Sequence, residues 1–170
     1  MVTYPSKVKK IAYGKSLVAA KDLPKGTIVE KFDGIIIKYK PGDMNPTPPE
    51  VPESEVCYFY IVDWETVVIP KTNARYINHS CEPNCDINSN REVYTLRPVK
   101  RGEELTFGYN MVEKGSDPGP WDPRWNFKCL CGSPICQGTI DKFVYREGDE
   151  WVQIGEIWNE PPATISDTET

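Results

Sequence analysis

Proline and glycine interrupt this chain so often that long helices are excluded from it. Its 170 residues include 16 prolines and 12 glycines, and no amphipathic helical pattern extends over about eleven residues. Segments rich in β-branched and aromatic residues, bounded by turn formers, predict strands instead. These candidates are 26–37, 57–69, 91–99 and 103–109. The sequence therefore predicts a mainly β fold of many short strands.

The length, hydrophobicity and charge of the chain argue against a membrane protein, a secreted protein and a protein that binds nucleic acid directly. A chain of this size buries about 70% of its unfolded surface, enough for a real core. No stretch approaches the roughly 20 apolar residues of a membrane span, and residues 1–16 lack a secretory-signal pattern. The net charge of −5 favours a basic partner and argues against direct contact with nucleic acid. We therefore expect an intracellular monomer that contacts no membrane.

Three stretches look peripheral to the core. Residues 40–55 are rich in proline and acidic side chains, which predicts an exposed insertion. Residues 111–126 have a similar composition. The final residues lack core-forming side chains, and we expect them to be disordered.

Three cysteines, Cys129, Cys131 and Cys136, form a C-x-C-x4-C pattern. In a reducing compartment such a group is typical of a metal site, and structural zinc almost always has four Cys or His ligands. One ligand must therefore come from elsewhere in the chain. The candidates are Cys57, Cys81, Cys85 and His79. Three buried cysteines without a metal, or an iron–sulfur cluster with unusual spacing, are less favoured alternatives.

The segment "NARYINHSCEPNC" (73–85) contains the only histidine of the chain. A Ser–His or Cys–His nucleophile pair is a weak interpretation of it, because no G-x-S-x-G elbow accompanies it. Glycine fingerprints of dinucleotide-binding and phosphate-binding loops are absent, as is an HExxH motif. Taken alone, Asn78 would be a turn-capping amide and His79 a structural histidine.

Three ordered motifs together resemble SET-domain protein lysine methyltransferases that carry a post-SET zinc segment. They are "RYINHSCEPNC" (75–85), "RGEELTFGYN" (101–110) and "CLCGSPICQG" (129–138). The resemblance implies a SET domain over 8–112, a post-SET zinc segment over 125–140 and a C-terminal extension over 141–170. It implies small curved β-sheets in which the NHSC segment and the strand ending at Tyr109 form a knot-like crossing at the active site.

The resemblance also implies two bound groups, S-adenosylmethionine and zinc. Cys81 would be the fourth zinc ligand beside Cys129, Cys131 and Cys136. Asn78 and His79 would contact the charged end of the cofactor. The full set of cofactor residues implied by the resemblance is Tyr13, Gly14, Lys15, Ser16, Leu17, Tyr58, Arg75, Asn78, His79 and Leu130.

Three aromatic residues match the catalytic positions of the family: Tyr109, Tyr58 and Phe107. Tyr109 would place its hydroxyl near the transferred methyl group, and Tyr58 would line the cofactor and lysine channel. Phenylalanine at position 107 is associated in the family with the addition of more than one methyl group. The chain departs from the family pattern at three positions. Ser16 stands where a second glycine is common in the family. Phe32 stands where the family often has tyrosine, and Gly108 where it often has an acidic residue.

The function implied by the resemblance is methylation of a lysine amine on a basic protein or peptide, such as a histone tail, with dimethyl- or trimethyl-lysine as product. Such an enzyme would be a chromatin regulator in the nucleus if the source is eukaryotic, and cytoplasmic otherwise. The alternative is a catalytically weak or inactive SET-fold module that binds a partner and is stabilised by zinc.

Overall fold

The computed structural model describes residues 3–38, 58, 60–63, 66–116, 118, 121 and 125–154. The predicted insertion at 40–55, Cys57 and the tail predicted to be disordered lie outside the described residues. Within the described part, no helix is long and apolar enough to cross a membrane.

The described residues form fourteen short strands and one 3-10 helix, which confirms the predicted mainly β fold. The 3-10 helix is Asn73–Tyr76. The strands are β1 Ser6–Ile11, β2 Gly14–Ala19, β3 Ile28–Lys31, β4 Gly34–Lys38, β5 Tyr60–Asp63, β6 Thr66–Pro70, β7 Asn78–His79, β8 Cys85–Ile87, β9 Glu92–Thr95, β10 Thr106–Phe107, β11 Phe127–Lys128, β12 Thr139–Ile140, β13 Val144–Glu147 and β14 Glu150–Gln153.

The strands make several small sheets in place of one large sheet. Two sheets have three strands, in the orders β3-β9-β8 and β4-β6-β5, and four are pairs: β1-β2, β7-β10, β11-β12 and β13-β14. All of these pairings are antiparallel except that of β7 with β10. The parallel pair is the place where distant motifs of the sequence meet.

The described residues form three hydrophobic clusters, one of which, Ile37, Val67 and Ile69, lies within the β4-β6-β5 sheet. The main core packs β2, β3, β9 and the segment before β10 against the 3-10 helix, through Leu17, Val29, Val93, Leu105 and Ala74. A smaller core joins Cys81, Cys129 and Ile140, with aromatic side chains from Trp121, Phe127 and Trp151 packed against them. The C-terminal segment is therefore attached to the rest of the domain through a core that contains cysteines.

Glu30 on β3 is a buried carboxylic acid, with 4% of the residue exposed. Burial raises the pKa of Glu30, although the Lys31 backbone N–H donates to its carboxylate. The folded state therefore binds the proton more tightly than the unfolded chain, and stability falls as pH rises above the unfolded value of 4.5.

We expect Glu30→Gln to raise the free energy of unfolding at neutral pH by on the order of 1 kcal/mol, the usual size of one stabilising change. The amide keeps an acceptor for the Lys31 N–H without carrying a charge. Urea denaturation at neutral pH and below the unfolded pKa measures the effect. The advantage of the variant should shrink at the acidic pH, and an equal advantage at both values would contradict the assigned cause.

Candidate active site and metal centre

The parallel pair brings the histidine segment against the segment that ends at Tyr109. Thr106 lies opposite Asn78, and Phe107 lies opposite His79. The Ser80 N–H continues the pairing by donating to the Phe107 carbonyl at 3.2 Å. Parallel neighbours need a long crossover, and here the crossover contains β8 and β9. The two motifs predicted to meet at the active site therefore lie side by side.

Asn78 fixes this pair to the N-terminal hairpin. Its Nδ2 donates to Glu104 Oε1 at 2.8 Å and to the Lys15 carbonyl at 3.3 Å. Its Oδ1 accepts no hydrogen bond from the described part of the chain. Two acceptors therefore orient the amide.

Three of the predicted cofactor residues gather around Tyr76. The Arg75 guanidinium lies 4.3 Å from the ring centre of Tyr58 and 5.7 Å from that of Tyr76. The Lys15 ammonium lies 4.8 Å from the Tyr76 ring centre, within the range of a cation–π interaction. The two rings meet edge to face at 6.4 Å. Positive charge and aromatic surface are thus combined beside Asn78.

The remaining predicted cofactor residues lie on β2, in the turn before it and in the loop after β11. Gly14 has a φ of 139°, a conformation that strains residues with a Cβ. Ser16 is buried with 1% exposure, and the Leu17 side chain is fully buried in the main core. Only backbone groups of Leu17 could face a cofactor. Tyr13 and Leu130 are each 73% exposed.

Tyr109 is held by aromatic rings on several sides and by its hydroxyl group. The hydroxyl donates to the Ile77 carbonyl at 2.7 Å. Ring centres lie 4.9 Å away at Phe107, 5.4 Å away at His79 and 5.9 Å away at Phe127. Tyr109 is still 43% exposed, so it has both a fixed ring and an accessible face.

Phe32, which stands where the resemblance implies a tyrosine, has another tyrosine as its neighbour. Phe32 is buried and stacks on Tyr60 with ring centres 4.7 Å apart and an interplanar angle of 24°. It also meets Phe107 edge to face at 5.9 Å. Tyr60 therefore supplies a phenol ring beside Phe32.

His79 lies between Tyr109 and the cysteines. Its Nδ1 accepts the Tyr109 backbone N–H at 3.1 Å, and its Nε2 lies 3.4 Å from Cys81 Sγ. Burial lowers the pKa of His79 to about 4. The imidazole is therefore neutral at physiological pH.

The four cysteines implied by the resemblance meet in space. Their Sγ atoms, from Cys81, Cys129, Cys131 and Cys136, all lie within 4.8 Å of one another. A tetrahedral zinc site with bonds of about 2.3 Å requires sulfurs about 3.8 Å apart, and the Cys81 and Cys129 sulfurs are separated by 3.8 Å. Cys85, the nearby alternative, belongs to the main hydrophobic core. The donor set and its spacing fit zinc.

Burial disfavours the charged thiolate form of the cysteines in this cluster when no metal is bound. Burial raises the pKa values of Cys81 and Cys129. Burial also acts on Cys131, but N–H groups of Cys81 and Ser133 and the neighbouring thiols outweigh it and lower its pKa to about 7. Four thiolates cannot be held this close together without a positive charge to compensate them.

Sequence reasoning missed two polar residues beside the metal centre and one glycine contact. Gln137 directs its backbone N–H and its side-chain amide at Cys81 Sγ, and Asn110 bonds Gln137. A Cβ at Gly108 would overlap the side chain of Met111, which would have to move to accommodate a larger residue. Adjacency to Cys136 was the only available signal for Gln137.

Comparison with known proteins identifies relatives of this arrangement. A family model described as "SET domain" matches residues 14–110. Histone-lysine N-methyltransferase SETD2 of Mus musculus is 31% identical over 139 residues, which covers 75% of this chain and 5% of that protein. The "Histone-lysine N-methyltransferase, H3 lysine-36 specific" of Mycosarcoma maydis is 27% identical over 137 residues, 75% of this chain and 13% of that protein.

A third relative has a different stated specificity. The "Histone-lysine N-methyltransferase, H3 lysine-4 specific" of Schizosaccharomyces pombe is 29% identical over 153 residues, which covers 78% of this chain and 15% of that protein. The chain thus spans only a small part of the length of these relatives.

Proposed function

Because this chain belongs to the SET-domain family, we propose that it transfers a methyl group from S-adenosylmethionine to a lysine side-chain amine of a basic protein, with histones as the first candidates. The relatives bear the names of histone-lysine methyltransferases, and the net charge of −5 complements a basic peptide. A histone substrate would place the protein on chromatin.

The observation that carries the proposal is the parallel pairing of Asn78–His79 with Thr106–Phe107. This pairing puts the Asn78 amide, the charged side chains of Lys15 and Arg75, and the Tyr109 hydroxyl into one region. The Oδ1 of Asn78 is a carbonyl-type acceptor of the kind that suits the ammonium group of an amino-acid-like cofactor. Tyr13, Gly14, Ser16, Tyr58 and the Leu130 side chain complete the set that we assign to cofactor binding.

When bound, S-adenosylmethionine supplies a methyl group on a positively charged sulfur. The protein must then position a neutral amine in line with it. A free lysine has a pKa of about 10.4, so its deprotonation at pH 7 costs roughly 4–5 kcal/mol. The aromatic surroundings of Phe107, Tyr109 and Phe127 disfavour the ammonium form and lower that cost.

The Tyr109 hydroxyl acts as an oriented acceptor in this proposal. Its proton is donated to the Ile77 carbonyl at 2.7 Å, and this bond fixes the orientation of the phenol oxygen. An oxygen fixed in this way stabilises positive charge that develops at the transferred methyl group and the amine. We assign zinc, held by Cys81, Cys129, Cys131 and Cys136, a structural role that fastens the C-terminal segment beside the site.

The test is transfer of labelled methyl groups from S-adenosylmethionine to purified histones and to a cell extract, followed by mass spectrometry of the modified residue. We expect label on lysine. Binding of S-adenosylmethionine in calorimetry without any transfer would favour the alternative of an inactive binding module, and absence of both would contradict the proposal.

Phe107 is expected to set the number of methyl groups added. Its ring contacts Phe32 and Tyr109, and it offers no hydrogen bond that could hold a water beside the amine. A tyrosine hydroxyl at this position would retain such a water and fill the space that a methylated amine needs. We expect the wild type to form dimethyl- or trimethyl-lysine and Phe107→Tyr to shift the products toward monomethyl-lysine.

Mass spectrometry of a matched peptide at long reaction times gives the product distribution. Phe143→Tyr is a matched control, because Phe143 packs against Trp121 away from these rings. A wild type that stops at monomethyl-lysine, or identical products from Phe107→Tyr and wild type, would remove this role from Phe107.

A further inference from the structure

Three nitrogen atoms lie within hydrogen-bonding distance of the Cys81 sulfur, more than a neutral buried thiol requires as partners. Its Sγ lies 3.3 Å from the Gln137 backbone N, 3.6 Å from Gln137 Nε2 and 3.4 Å from His79 Nε2. Cys81 has no exposed surface, so these donors stand in for water. Such a shell suits a thiolate far better than a neutral thiol, because bonds to a charged acceptor are about twice as strong.

The proton position on His79 follows from its other contact. Nδ1 accepts the Tyr109 backbone N–H at 3.1 Å, so Nδ1 carries no proton. In a neutral imidazole the proton then resides on Nε2, which is the atom that faces Cys81 Sγ. His79 therefore accepts from the Tyr109 backbone and donates to the sulfur.

The orientation of the Gln137 amide follows by the same reasoning. The Lys142 carbonyl can only accept, and Asn110 Nδ2 donates to it at 2.8 Å. The same Nδ2 lies 3.0 Å from the side chain of Gln137, so the Gln137 atom that faces it must be the oxygen. The Gln137 nitrogen is thereby directed at Cys81. Asn110 is fully buried, which keeps this arrangement away from solvent.

Two consecutive residues, Tyr109 and Asn110, are thus each linked to one sulfur through one intermediate side chain. We propose that His79 and Gln137 are positioning residues that join the Cys81 thiolate to the Tyr109–Asn110 segment, so that metal loading at the four cysteines fixes the position of Tyr109. The part that concerns Tyr109 rests on the proposed function, whereas the part that concerns the metal does not.

The first test measures how fast the zinc-loaded full chain releases zinc to a chelating dye. His79→Asn keeps an acceptor near the position of Nδ1 and loses the donor to sulfur, whereas His79→Gln keeps a donor near the position of Nε2. We expect His79→Asn and Gln137→Leu to release zinc about 10–100-fold faster, the usual effect of removing a partner of a metal ligand. His79→Gln should stay close to the wild-type rate.

Gln153→Leu is the matched control for Gln137→Leu, because Gln153 is exposed on β14. Equal release rates for His79→Asn and His79→Gln, or for Gln137→Leu and Gln153→Leu, would overturn the proposed donors.

The second test follows the position of Tyr109 by fluorine NMR of a fluorotyrosine placed at that residue. Removal of zinc should shift its signal, and zinc-loaded His79→Gln, in which the link to Tyr109 is cut, should resemble the zinc-free wild type. A signal that does not respond to zinc would overturn the link. Neither readout needs methyl transfer, so failure of the proposed function would show separately, as intact zinc retention and a normal fluorine signal without activity.

Discussion

Replacement of Tyr109 by phenylalanine is expected to lower kcat by about 100-fold or more, while cofactor affinity changes little. The ring of Tyr109 is held by Phe107, His79 and Phe127, so phenylalanine should keep its place. Only the oxygen is lost, and removal of one preorganised polar group at a reacting centre costs about 10²–10³-fold in rate. Single-turnover kinetics and calorimetry with S-adenosylmethionine measure the two quantities separately.

The variant also leaves the Ile77 carbonyl without the donor that now lies at 2.7 Å. A lost hydrogen bond of this kind lowers stability by about 1 kcal/mol, so the assay must be run well below the melting temperature. Tyr94→Phe is the matched control, because that hydroxyl bonds Asp86 on the β3-β9-β8 sheet. Equal loss of rate and cofactor affinity in Tyr109→Phe, or a similar loss of rate in the control, would argue against a role in the chemical step.

The fold class was accessible from sequence because prolines, glycines and β-branched residues are local signals. The lengths of the strands could not be predicted from the same local signals. The candidate strand 103–109 is reduced to Thr106–Phe107, since its backbone groups are shared among neighbours: Leu105 N–H bonds the Leu17 carbonyl, and Glu104 bridges to Val18. The candidate 26–37 is broken before Gly34, where a Cβ would overlap the Ile69 carbonyl oxygen. Such divisions depend on tertiary neighbours that a single segment does not encode.

The candidate site shows the same division between local and tertiary information. Cys81, Asn78 and His79 could be proposed because they belong to one contiguous motif, and the cysteine triplet indicates a metal through its spacing alone. Gln137 and Asn110 carry no such pattern, since an amide near a cysteine is common in any loop. Their significance arises only from the hydrogen bonds that join them across 27 positions of the chain.

Cys81 and Cys85 offer a sharp test of the metal centre, because two cysteines four positions apart have opposite surroundings. Cys81 Sγ lies with three other sulfurs, whereas Cys85 lies in the main core, where burial raises the pKa of its thiol to about 12. We expect the wild type to hold one zinc per chain, Cys81→Ser to lose it on dialysis, and Cys85→Ser to keep it. Elemental analysis of the purified proteins gives the zinc content directly.

The two serine variants should also differ in which part of the fold they weaken. Structural zinc contributes on the order of 10 kcal/mol of folding free energy to the segment that binds it, and the core around Cys81, Cys129 and Ile140 is small. Cys81→Ser should therefore abolish the protection of the β11-β12 amides from hydrogen exchange while β3-β9-β8 stays protected. Cys85→Ser should weaken β3-β9-β8, because it places a hydroxyl in an apolar core. If Cys81→Ser retained zinc and Cys85→Ser lost it, the assignment of Cys81 as the fourth ligand would be wrong. Cys85 would then have to be the ligand.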